Sequence, residues 1–186
     1  MPSSATYVAL LRGINVSGKN PIAMADLRAS CVALGLSGVR TYLQSGNVVF
    51  GAERRDPRRL ADALHGRIER DFGHDIAVLV LSAPQLERVA ADNPLRPAAT
   101  AEGRLFHCTF LFEPVAQERF RGLRLPTREG ERAVLADQTI YLHCPHGYGT
   151  SKLNNNYFER ALGVSATTRN WRSVLALREL AAGAGS

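Results

Sequence analysis

An α+β fold is the expectation for this chain of 186 residues, and three features carry it. The apolar segment Tyr7–Leu11 runs directly into a glycine-bracketed loop and then into helical periodicity. Two apolar stretches flank Ser45-Gly46, a hairpin signal. Leu60, Leu64, Ile68 and Phe72 recur at four-residue spacing just before the continuous apolar run Ile76–Leu81.

In order, Thr6–Leu11 reads as a strand. Ala23–Leu34 reads as a helix with Leu27, Cys31 and Leu34 on one face, and Gly35 as its stop. Val39–Gln44 and Asn47–Phe50 read as paired strands, Pro57–Phe72 as a second helix and Ile76–Leu81 as a fourth strand. This β-α-β-β-α-β order is the ferredoxin-like split βαβ. Beyond the helical stretch Pro84–Ala91 and the breaker Asp92-Asn93-Pro94, the pattern begins again. Phe106–Phe112 is a strand, Val115–Phe120 a short helix, and Ala133–Ala136 with Thr139–His143 a hairpin about Asp137-Gln138. Helices follow at Asn155–Leu162 and Trp171–Leu180, with a short strand at Ser165–Thr167 between them. The expected organisation is a ferredoxin-like subdomain over residues 1–82, a helical connector over 83–103, and a related α+β subdomain over 104–186 packed against the first. The halves share no evident sequence repeat.

Composition places the chain among ordinary globular proteins, with 45% hydrophobic and 22% charged residues. No apolar run approaches the ~20 residues needed to span a bilayer. The opening Met-Pro-Ser-Ser-Ala-Thr has neither a basic region nor an apolar one, so a cytoplasmic location and no membrane partner are expected. Cys31, Cys108 and Cys144 are odd in number and widely spaced, which fits reduced thiols. Basic residues outnumber acidic ones by 23 to 17, a net charge of +6 that favours anionic partners.

The loop after the first strand carries the sharpest chemistry. Gly13, Gly18 and Lys19 have the G-x-x-x-x-G-K spacing of a phosphate-cradling loop. Asn20 stands where Ser or Thr would hold Mg²⁺, and Pro21 removes a backbone N–H, so anion binding fits better than an NTPase. In split βαβ order this loop, the turn at Gln44–Asn47 and the start of the fourth strand meet at one edge. Arg12, Asn15, Lys19, Gln44, Ser45, Asn47 and His74 therefore converge there. An RNA-recognition motif would instead need an open, aromatic sheet face. Tyr7–Leu11 and Ile76–Leu81 are apolar on both sides, which predicts burial on both.

Other features have simpler explanations. Thr168 or Asn170 can cap the last helix, whose start together with Arg169 could also receive an anion. Trp171, followed by Val174 and Leu175, reads as a core anchor. Ser151 and Lys152 have the composition of a hydrolase pair, but adjacent side chains diverge, and Ser151 is better read as a cap. Strand alternation aims His107 away from Cys108 and His143 away from Cys144; with His146 these provide no compact metal spacing. Neither a metal nor a cofactor is called for. Asp26, Glu69, Asp71 and Glu159 read as helix-surface carboxylates.

Four motifs together resemble a known family. Ala9-Leu10-Leu11-Arg12-Gly13-Ile14-Asn15-Val16 with Gly18-Lys19, and Gln44-Ser45-Gly46-Asn47-Val48-Val49-Phe50, occur in the order of the bacterial family called domain of unknown function 1697. So do Ser151-Lys152-Leu153 and Ala166-Thr167-Thr168-Arg169-Asn170-Trp171. Ser17, where glycine is common, and Thr150 before Ser151 are mild departures. The resemblance implies an α+β protein of two small subdomains and supplies no catalytic residues. The leading functional expectation is a phosphate-bearing ligand, a nucleotide or a nucleic-acid backbone, at Arg12, Gly13, Asn15, Gly18, Lys19, Gln44, Ser45, Asn47 and Arg169. Alternatives are a transferase or hydrolase acting on a phosphorylated small molecule, and a protein-interaction module.

Overall fold

In the computed structural model the described residues are 4–96 and 100–184, with 100–102 described by backbone alone. The chain divides into two compact units, Met1–Arg88 with Ala176–Ser186, and Val89–Leu175.

The first unit contains β1 (Ser4–Leu11), α1 (Met24–Ala33), β2 (Ser37–Tyr42), β3 (Asn47–Glu53), α2 (Pro57–Phe72) and β4 (Val78–Ser82), with α3 (Ala83–Ala91) leading out of it. Its antiparallel sheet has the order β2-β3-β1-β4. This is the ferredoxin-like arrangement. Local chemistry sets both ends of α2. The Asp56 carboxylate accepts from Arg58 N–H at 2.9 Å, Pro57 occupies the first turn, and Gly73 closes the helix at φ 69°. Leu60, Leu64 and Ile68 bury one stripe of α2, each contributing about 1.5–3 kcal/mol by removal from water. They share a core with Tyr7, Ala9 and Leu11 of β1 and Leu27 of α1. Ser30 of α1 donates a hydrogen bond to Asp71 of α2. That bond, followed by the one from Arg67, holds the Asp71 carboxyl below the usual carboxylate range.

Val8 and Leu10 alternate to the other side of β1 and are also fully buried. The sheet face that an RNA-recognition motif would leave open is therefore closed at Val8 and Leu10.

The second unit repeats the topology. It contains β5 (Phe106–Leu111), α4 (Gln117–Arg121), β6 (Arg132–Ala136), β7 (Thr139–His143), α5 (Asn155–Leu162) and β8 (Ala166–Asn170); α6 (Trp171–Ala182) follows. Its sheet order, β6-β7-β5-β8, matches the first position for position, and every pairing is antiparallel. Leu111, Ile140, Leu142, Phe158 and Leu162 lie at the centre of its core.

Two local expectations are corrected. The last strand, expected over Ser165–Thr167, runs from Ala166 to Asn170, so Thr168 and Arg169 also belong to it and not to the start of a helix. The reason is long-range: Thr168 pairs with Thr109 and Arg169 with Cys108, which extends the strand through polar residues that carry little strand signal of their own. The cap of α5 is Asn154, which accepts from Tyr157 N–H at 3.1 Å, whereas Ser151 Oγ accepts from Leu153 N–H at 3.1 Å. Asn170 does bond at the start of α6, accepting from Arg172 N–H at 3.0 Å, and Trp171 is buried.

Candidate functional site

Two backbone hydrogen bonds assemble one edge of the first sheet. Leu11 N–H donates to Gly46 O at 2.8 Å, and Arg12 N–H donates to Ala77 O at 3.0 Å. The loop after β1, the turn between β2 and β3, and the approach to β4 are thereby placed side by side. On that approach His65 Nδ1 bonds Ile76 O at 2.8 Å, and His65 Nε2 lies 3.6 Å from Asp75. These contacts tie Asp75 and Ile76 to α2.

The loop itself is a miniature hairpin, not a wrapped phosphate cradle. Lys19 N–H donates to Val16 O at 2.9 Å, and the two residues between them, Ser17 and Gly18, have φ of 50° and 74°. Positive φ at both central residues marks a type I′ turn, whose twist suits a two-residue hairpin. Asn15 N–H adds a second rung to Asn20 O at 3.2 Å. The Asn20 side chain donates to Gly13 O at 3.0 Å.

Asn15 fastens this hairpin to its surroundings. Its Nδ2 donates to Ile22 O and to Gln44 O, both at 2.9 Å, while its Oδ1 accepts from Ile22 N–H at 2.9 Å. One side chain therefore ties the hairpin base to the approach to α1 and to the neighbouring turn. At about 1 kcal/mol net per hydrogen bond, the clamp stabilises the edge by about 3 kcal/mol.

The neighbouring turn is equally constrained. Asn47 is fully buried, and its Nδ2 donates to Tyr42 O at 2.8 Å and to Ser45 Oγ at 2.9 Å. Gly46 has φ 77°, and a Cβ there would lie 2.7 Å from Leu11 Cβ and 2.9 Å from Ile14 Cδ1. Leu43 also takes a left-handed conformation, with φ 57°. For a residue with a Cβ this costs roughly 1–2 kcal/mol, and unlike Asn15 and Asn20 it has no polar side chain to offset the strain locally. Leu43 and Val16 are each 56% exposed, which makes them two of the three exposed large apolar residues described.

The edge thus sorts the sequence-predicted residues by role. Asn15, Ser45 and Asn47 are fasteners, Gly13 and Gly46 permit the backbone path, and Gln44 supplies a backbone acceptor. Gly18 and Lys19 stand exposed at the tip, and Arg12 is partly exposed behind them. Sequence reasoning missed Val16, Ser17 and Leu43. An aliphatic residue between two loop glycines was the available signal for Val16. Leu43, inside a stretch that reads as strand, carried none.

Arg169 belongs to the second unit and is only 6% exposed. It donates to Thr167 Oγ1 at 2.7 Å and to Thr168 O at 2.9 Å, and burial pulls its pKa down to about 10. In the same unit His107 stacks on Tyr148 with ring centres 4.5 Å apart, and His143 stacks on Phe106 at 4.4 Å. His146 Nε2 bonds Glu129 O at 3.0 Å. Thr109, Thr168 and Asn155 form a hydrogen-bonded chain through side chains, with links of 2.7 and 2.6 Å. All three cysteines are buried, and burial raises each thiol pKa, that of Cys31 to about 11. Among the described residues no group of three His, Cys, Asp or Glu could hold a metal ion. Nor is any described helix long and apolar enough to cross a membrane.

Residues 5–141 match the model of a family described as protein of unknown function (DUF1697), and the chain belongs to that family. Among solved structures it is similar to the conserved bacterial protein SP0830 from Streptococcus pneumoniae. That likeness has a TM-score of 0.72 at 23% identity and covers 96% of this chain and 99% of the other, so it speaks to the fold. No curated protein shows significant similarity.

Proposed function

We propose that this member of the family binds an anionic, phosphate-bearing ligand, a nucleotide or a nucleic-acid backbone, at the edge built from Arg12–Asn20 and the turn before β3. The observation that carries the reading is the exposed Ser17-Gly18-Lys19 tip on a hairpin held rigid by Asn15. A rigid cationic tip meets an anion without first paying to order a loop. Positive φ recurs at Gly13, Asn15, Ser17, Gly18 and Asn20. This left-handed backbone folds the loop into a tight turn that presents Lys19 at its exposed tip.

The second unit supports this reading as an internal comparison. There Leu111 N–H donates to Gln138 O at 2.9 Å and Phe112 N–H to Ser165 O at 2.9 Å, bonds equivalent to those of Leu11 and Arg12. That edge needs only the connection Phe112–Ala116 before its helix, and no hairpin. The hairpin of the first unit is thus dispensable for the topology, and a cationic, glycine-bearing insertion on a shared frame fits a recognition role.

Calorimetry at low salt with ATP and with tripolyphosphate tests the reading. Replacing both Lys19 and Arg12 by Ala should weaken binding roughly ten- to a hundredfold, the worth of a charge-assisted hydrogen bond of about 1.5–3 kcal/mol. Absence of both heat and a thermal shift with either ligand would count against it.

A further inference from the structure

We infer that the ligand of this edge is a nucleotide, free or within a single strand, whose base rests on Val16 and Leu43 while its phosphates meet the Ser17–Lys19 tip. The inference depends on the phosphate reading above and goes beyond it by assigning the uncharged half of the ligand.

A phosphate alone needs only the cation and the N–H groups. The edge offers more. Val16 follows Asn15 directly and Leu43 precedes Gln44 directly, and the 2.9 Å bond from Asn15 Nδ2 to Gln44 O holds those two chain segments together. The two most exposed aliphatic groups of the edge are therefore neighbours of one clamp, each 56% exposed. Lys19 is bridged to Val16 across the hairpin, so the charge and the apolar surface share one rigid element. Leu43 holds an outward apolar side chain on a left-handed backbone that Gly or Asn would adopt more readily. Strain retained at an exposed position marks a side chain needed where it stands. A cation beside a small apolar platform complements a ligand that joins phosphates to a flat, weakly polar ring; side chains that hold an unstacked base do so through apolar as well as aromatic contacts.

The test compares ATP, tripolyphosphate and adenosine by calorimetry on the full chain, with wild type and two variants, Val16→Ser/Leu43→Gly and Val16→Ser/Leu43→Asn. Both Gly and Asn tolerate the left-handed backbone, so failure of one variant to fold leaves the other. Wild type should bind ATP at least about fivefold more tightly than tripolyphosphate, the low end for a base contact. The variants should lose that preference while keeping their affinity for tripolyphosphate. Tighter binding of a single-stranded oligonucleotide than of ATP, lost in the same variants, would support the strand as the source of the base. Equal wild-type affinities for ATP and tripolyphosphate would overturn the inference and leave the phosphate reading standing. Binding of neither would overturn both. Capture of an acidic, leucine-bearing peptide with no response to ATP would overturn the inference in favour of a protein partner.

Discussion

Replacing Gly46 by Ala tests the architecture of the edge formed by the Arg12–Asn20 loop and the turn before β3 with the least chemical change. Two independent costs apply there. The backbone stands at φ 77°, where a residue with a Cβ costs roughly 1–2 kcal/mol. The new methyl would also lie 2.7 Å from Leu11 Cβ and 2.9 Å from Ile14 Cδ1. Ile14 can yield at its flexible end, but Leu11 Cβ is attached to a strand backbone that donates its own N–H to Gly46 O. Overpacking of this kind costs roughly 1–3 kcal/mol. The sum is about 2–5 kcal/mol, read as a shift of the urea midpoint by far-ultraviolet circular dichroism. Gly18→Ala is the matched control, since φ is 74° but nothing lies within 4 Å of the added methyl; its cost should be only about 1–2 kcal/mol. If Gly46→Ala costs no more than Gly18→Ala, the close approach of the turn to β1 is wrong, and with it the juxtaposition of hairpin and turn.

Trp171→Ala should cost about 3–5 kcal/mol, because the indole is only 6% exposed and its loss leaves a cavity; unchanged stability in urea, or a solvent-like emission maximum in the native protein, would contradict core anchoring. Stability should also depend on pH through His107, whose pKa burial lowers from 6.5 to about 4. The unfolded chain takes up this proton first, so the contribution is complete above pH 6.5 and is drained as pH falls toward 4, by up to about 3 kcal/mol. His107→Gln should flatten that part of the profile, and an equal loss in wild type and variant between pH 7 and 4.5 would show that His107 is not responsible.

The sequence announced its elements where the signal was local. Asp56-Pro57 and Gly73 bracket α2, and the apolar stripe between them leaves one reading of that stretch. At α5 the signal was less direct: Asn154 caps the helix and Gly163 closes it at φ 65°, while Ser151, the residue read as its cap, accepts from Leu153 N–H instead. The polar run Ala166–Asn170 was legible only in part, because its strand character comes from pairing with β5 and not from its own residues. The duplicated topology was visible as a recurring element order, yet its equivalent hydrogen bonds go through backbone atoms, which impose no common side chains. At this edge of the first sheet, the convergence of Arg12–Asn20 with Gln44–Asn47 followed from strand order. The roles of those residues did not. Asn15 and Asn47 are fasteners because of what their amides reach, and Leu43 is strained because the turn demands it; both depend on neighbours that no local pattern specifies.

The proposed role of the Ser17-Gly18-Lys19 tip is to bind an anion. An amide-resolved NMR titration of the isotopically labelled chain with pyrophosphate at low salt tests it most directly. Saturable shifts are expected to concentrate at Ser17, Gly18 and Lys19, to fade as salt is raised, and to be absent when Lys19 and Arg12 are both Ala. Saturable shifts confined to other parts of the chain, or none at millimolar pyrophosphate, would contradict it.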